Sequence, residues 1–73
     1  MITKDDILVG AAAYRKLHPQ QRLGQSIFNY VDLNFGDMAR HIQFDLGIDC
    51  FYNDNIIDKF VDTVVELYNK ESN

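Results

Sequence analysis

Residues 53–68 carry a pattern that constrains the fold more than any other part of the chain. Ile56, Ile57, Phe60, Val61, Val64, Leu67 and Tyr68 recur at steps of three and four, while Asp54, Asp58, Asp62 and Glu66 fall four apart on the opposite side. That period is helical, so one face is core and the other is an acidic ridge. Whatever else the chain does, it has to supply an apolar surface for this helix to lie on.

The first forty residues offer that surface. Thr3 is placed to cap a helix whose first turn holds Asp5 and Asp6 and whose last turn holds Arg15 and Lys16, the polarity a helix dipole favours. Its buried side chains are expected to be Ile7, Leu8, Ala11, Ala12 and Tyr14. Pro19 disfavours helix at His18 but is tolerated at the first position of a new one, so His18-Pro19 reads as a hinge. A second helix is predicted over 19–34, with Leu23, Ile27, Tyr30, Val31 and Asn34 on one flank and Phe28 and Phe35 beside it. Gly24 lies inside it at a cost of about 1 kcal/mol relative to alanine, which implies close approach by another backbone or a bend. Gly36 stops this helix, and Asp37 is expected to cap a short third one over 38–44 that buries Met38, Ile42 and Phe44. Residues 45–52 hold Gly47 and no period, so they read as a loop packing Leu46, Ile48 and Phe51 on the core, with Asn53 or Asp54 capping the last helix. The expectation is an all-α fold: one domain over 1–73, a small orthogonal bundle of about four helices, three longer and one short.

A domain this small buries only roughly 60% of the surface its unfolded chain exposes. With 47% hydrophobic residues the chain is too apolar to be disordered, and its single cysteine supplies no disulfide. Association with a second copy or with another protein is therefore expected, through exposed anchors among Tyr14, Phe35, Tyr52 and Tyr68. The first residues lack the basic start, apolar run and small-residue cleavage site of a leader, and no apolar run approaches the roughly 20 residues of a membrane span. A reducing, cytoplasmic setting is expected, the host cytoplasm if a phage encodes the chain.

The net charge of −4 is unevenly spread. Residues 1–40 balance at +1, whereas 41–73 carry seven acids against Lys59 and Lys70, a balance of −5. Phosphates would be repelled by the second half, which argues against nucleic-acid binding there and leaves Arg15, Lys16 and Arg22 as a small basic patch. The LGQS string at 23–26 has a superficial likeness to a helix-turn-helix turn, but Pro19 interrupts the helix that should precede it and the reading face would be aromatic.

Four constellations remain. Arg22, Gln25 and Asn29 form a polar stripe that can meet Asp49, Asn53 and Asp54; the expectation is a structural network in which Arg22 pairs with Asp49 or Asp54, the alternative a small-molecule-binding or enzymatic pocket lined by Arg22, Gln25, Asn29, Asp49 and Tyr52. His41, Asp45, Asp49 and Asp54 match neither a calcium loop nor a tetrahedral zinc site, so no metal is expected. Cys50 with His41 or His18 is the one nucleophile pairing on offer, without an elbow, an oxyanion hole or an orienting third group, so no catalytic residue and no cofactor are assigned. Carboxylates four residues apart are about 6 Å apart along a helix, comparable to successive phosphates, so Asp54, Asp58, Asp62 and Glu66 could imitate nucleic acid; the plainer reading is a solvated outer face. Asp54, Asp58, Asp62, Glu66, Tyr52 and Tyr14 are the candidate partner-binding residues.

The segment Arg22, Gly24, Gln25, Phe28 and Asn29, followed by Asp49, Phe51, Tyr52 and Asp54, resembles a set of short, functionally uncharacterised helical proteins of tailed phages and bacteria. These carry an R-x-G-Q-x-x-F-N segment on one helix and a D-x-F-Y-x-D-like segment leading into the last. The resemblance covers residues 18–68 and carries no activity. It implies a phage-type accessory protein that binds and modulates or inhibits a host or phage protein, and it includes neither the first helix nor Cys50.

Overall fold

The computed structural model describes residues 1–71, and among these there is no strand. Helix α1 runs Lys4–Leu17, α2 Leu23–Asn34, α3 Met38–Arg40 and α4 Ile57–Glu71. The fold is a small all-α bundle, as the periodicity requires.

α1 begins with a reciprocal cap: the Thr3 hydroxyl accepts the Asp6 amide at 3.2 Å and the Asp6 carboxylate accepts the Thr3 amide at 2.9 Å. It ends at His18, whose ring nitrogen lies 3.1 Å from the Tyr14 carbonyl and whose ring stacks on Tyr14 at 4.2 Å. The core face is narrower than expected. Ile7 and Ala11 are buried and the Tyr30 ring closes on α1 at Gly10, but Ala12 is exposed.

α2 starts four residues later than predicted. Pro19 opens a turn in which the Gln21 amide donates to the His18 carbonyl at 3.1 Å, and Arg22 is extended (φ −69°, ψ 163°) just before the helix. The start is set there by a partner outside the helix, since the Gly24 amide donates to Asp54 Oδ1 at 3.1 Å. Leu23, expected inward, therefore sits at the helix entrance and is 43% exposed.

Gly36 takes φ +66° and turns the chain after α2. Asp37 makes no side-chain cap: its backbone (φ −81°, ψ 5°) is not extended, so its carboxylate does not lie over the first amides of α3. The single turn of α3 widens into a π-helical turn, His41–Asp45, closed by the Leu46 amide on the His41 carbonyl at 3.2 Å. Ile42 points into the core and is fully buried. Phe44, two positions on and so across the turn from it, is 75% exposed rather than buried. Leu46 also faces solvent, and Cys50 is the fully buried residue of the loop. Asn53 accepts the Asn55 amide at 3.0 Å and caps a short 3-10 turn, Asp54–Ile56, that feeds α4.

The core gathers Ile7 and Ala11 from α1, Ile27, Phe28 and Val31 from α2, Ala39 and Ile42, Cys50 from the loop, and Phe60, Val61 and Val64 from α4. The Asn69 side chain brackets Ile2, accepting its amide and donating to its carbonyl, both at 2.9 Å, which ties α4 to the segment before α1. No helix among the described residues is long and apolar enough to cross a membrane.

Candidate functional site

The loop between α3 and α4 crosses the N-terminus of α2, and Gly24 makes the crossing possible. A Cβ at Gly24 would fall on the Cys50 carbonyl and on Asp54 Oδ1, so only the glycine backbone fits beneath the loop. Four contacts fix the crossing. Asp54 accepts the Gly24 amide, the Arg22 guanidinium donates to the Phe51 carbonyl, the Cys50 thiol donates to the Gly24 carbonyl at 3.4 Å, and Asp49 Oδ1 accepts the Phe51 amide at 2.9 Å.

This corrects the expected Arg22 pairing with Asp49 or Asp54. Each carboxylate accepts a backbone amide, Asp54 at the start of α2 where the helix dipole favours negative charge and Asp49 within its own loop, and the Arg22 guanidinium donates to the Phe51 carbonyl instead. Asn29 turns the other way, donating to Gln21 Oε1 at 3.3 Å, and Gln21 donates to the Tyr14 hydroxyl at 3.4 Å. Gln25 is half-buried and takes no part in these bonds among the described residues. The polar stripe is thus divided between two sides of α2.

The acidic ridge is divided as well. Asp54 faces α2, and Lys4 of α1 reaches across to Asp58 at 3.0 Å and Asp62 at 3.6 Å. The hydrogen bond that Lys4 donates to Asp58 raises the Lys4 pKa above its ordinary value. Glu66 is exposed. These pairs are solvated, and pairs of that kind contribute little to stability. Asp58→Asn with Asp62→Asn is accordingly expected to move the thermal midpoint by no more than a few degrees, less at high salt. Melts at low and high ionic strength check this, and a collapse of the fold would contradict it.

His41 lies 2.7 Å from Asp45, and no group of three or more His, Cys, Asp or Glu side chains among the described residues could hold a metal ion. Cys50 is fully buried, and burial pushes its pKa up to about 12, with the charge of Asp49 acting in the same direction. It remains a thiol through the neutral range. His18 and His41 are engaged at Tyr14 and Asp45, so neither forms the nucleophile pair considered for Cys50.

Beside the crossing, Phe28, Gln43, Phe44, Asp49, Phe51 and Tyr52 line an open cleft of about 310 Å³. A run of rings leads out from the core to it: Phe28 meets Phe60 at 5.9 Å inside the core, Phe51 sits edge-on to Phe28 at 5.5 Å, and Tyr52 sits edge-on to Phe51 at 4.7 Å. Of its lining residues, Phe44 and Tyr52 are 75% and 74% exposed. Of the expected anchors only Tyr52 stands free of the core. Tyr14 is half-buried against His18, and Phe35 is half-buried between Tyr30 at 6.2 Å and Tyr68 at 5.3 Å. Phe44 was missed because it was assigned inward; its spacing of two from Ile42 was the available sign that both could not face the core. A second apolar stripe, Val9, Ala13 and Leu17, runs at four-residue steps along the outer face of α1.

No family model, curated protein or solved structure matches the chain. Its function has to be read from the geometry.

Proposed function

We propose that the protein is a small interaction module that acts by occupying a partner's surface, in the setting its sequence resemblance implies: a phage-type accessory protein that modulates or inhibits a host or phage protein. What carries this reading is the pair Phe44 and Tyr52, two large aromatic side chains that line one cleft and are left about three-quarters exposed. Exposed aromatic side chains beside packed rings have the character of interface anchors, whereas scattered exposed leucines do not. The cleft is held in shape by the loop crossing at Gly24, so it is preformed and loses little entropy on binding. The acidic ridge supports nucleic-acid mimicry less well, because Lys4 and the start of α2 already engage three of its four carboxylates.

Phe44→Ala with Tyr52→Ala should leave the helical signal and melting temperature close to wild type, since neither ring is buried. Loss of two anchors of about 2 kcal/mol each would lower affinity by roughly a thousandfold. The tagged wild-type chain and the tagged double variant, passed over the same host lysate, provide the test. Proteins retained by the first and lost by the second are expected; identical sets from the two would contradict the assignment.

A further inference from the structure

We infer that the Phe44–Tyr52 cleft takes a guanidinium, and that its occupant is an arginine side chain on an extended basic segment of the partner. The inference rests on the interaction reading above and names its chemistry. The cleft is lined by the rings of Phe28, Phe44, Phe51 and Tyr52, one carboxylate from Asp49, one amide from Gln43, and no basic side chain. Aromatic faces attract a cation and stack with the flat guanidinium, which a round ammonium matches less well. Asp49 supplies the opposite charge at the wall. A carboxylate has about four acceptor positions, of which the Phe51 amide takes one, so the guanidinium fork still has acceptors to meet. Arg22, the nearest base in the loop crossing, is held by the Phe51 carbonyl. The surrounding half of the chain adds to this polarity, with its balance of −5 over residues 41–73 favouring the approach of a basic segment. An apolar helix would cover the Asp49 charge with only the Phe51 amide to meet it, and a second copy of this chain would have to bring its own arginine to the same place.

The test uses the full chain, isotope-labelled for NMR, titrated with a short unstructured glycine-serine peptide carrying two arginines, and with the same peptide carrying citrulline in their place. Citrulline keeps the shape and removes the charge. Saturable shifts centred on Gln43, Phe44, Asp49 and Tyr52 are expected with arginine, and at least tenfold weaker binding with citrulline. Asp49→Asn keeps an oxygen for the Phe51 amide while removing the charge, so it should preserve the spectrum elsewhere and weaken arginine binding at least fivefold. Equal binding of arginine and citrulline peptides, or equal binding by the Asp49→Asn chain, would overturn the inference. So would shifts spread along Asp58, Asp62 and Glu66, which would mark bulk attraction to acid. A dimer in sedimentation that Phe44→Ala with Tyr52→Ala dissociates would overturn it in favour of self-association. If the peptide does not bind while Phe44→Ala with Tyr52→Ala still loses captured proteins, the guanidinium fails and the interaction surface stands; if neither is affected, both fail.

Discussion

Gly24→Ala is expected to lower the melting temperature by about 15 °C, which corresponds to roughly 3 kcal/mol in a domain of this size. In a helix interior the substitution ordinarily stabilises, because alanine is the better helix former by about 1 kcal/mol. Here the sign reverses. The added methyl would meet the Cys50 carbonyl, which is backbone, and the Asp54 carboxylate that caps α2. Asp54 can rotate away, but the carbonyl cannot, so the loop must lift. Lifting it breaks the cap on α2, withdraws Cys50 from the core and releases the carbonyl held by Arg22. Adding Asp54→Ala should therefore fail to rescue Gly24→Ala. Thermal or urea unfolding checks both variants, and a Gly24→Ala chain as stable as wild type would show that the crossing is not tight.

Phe60→Ala is expected to be at least as damaging, with a loss of about 3–5 kcal/mol. Phe60 is fully buried where α4 meets Phe28, and Phe28 in turn supports Phe51 in the lining of the cleft. A chain of this length has on the order of 4–11 kcal/mol of stability in total. The variant should lose a large share of that stability, with its aromatic cleft loosened before its helices melt. Near- and far-ultraviolet circular dichroism separate those two events, and an unchanged near-ultraviolet spectrum would contradict the coupling of core to cleft.

Much of the scaffold was legible in the sequence, and the reasons are physical. The cap at Thr3, the break near His18-Pro19, the turn at Gly36 and the buried face of α4 are local matters of hydrogen bonding, φ and period, which a single stretch of chain encodes. The all-α fold followed from them. What was not legible depended on contacts between distant segments. Pro19 looked like the start of α2, but the start is set by Asp54, thirty residues away along the chain. Arg22 looked like a partner for a carboxylate, but both carboxylates went to amides whose positions no spacing rule gives. Gly24 was flagged as a site of close approach, and which backbone approaches became visible only with the fold. The cleft was half legible. Tyr52 and Asp49 are legible as site residues, and the spacing of two between Ile42 and Phe44 is a sign that both cannot face the core, but the π-helical turn that sets Phe44 outward is not written in the sequence.

The most direct measurement of the central claim is hydroxyl-radical footprinting of the free chain and of the chain bound to whatever partner it retains. Phe44 and Tyr52 are reactive aromatic reporters at the cleft, and Val9 and Leu17, 70% and 78% exposed, report on the outer face of α1. If the protein works by seating a partner in the cleft, Phe44 and Tyr52 lose reactivity on binding while Val9 and Leu17 keep theirs. Protection of Val9 and Leu17 with Phe44 and Tyr52 unchanged would contradict it.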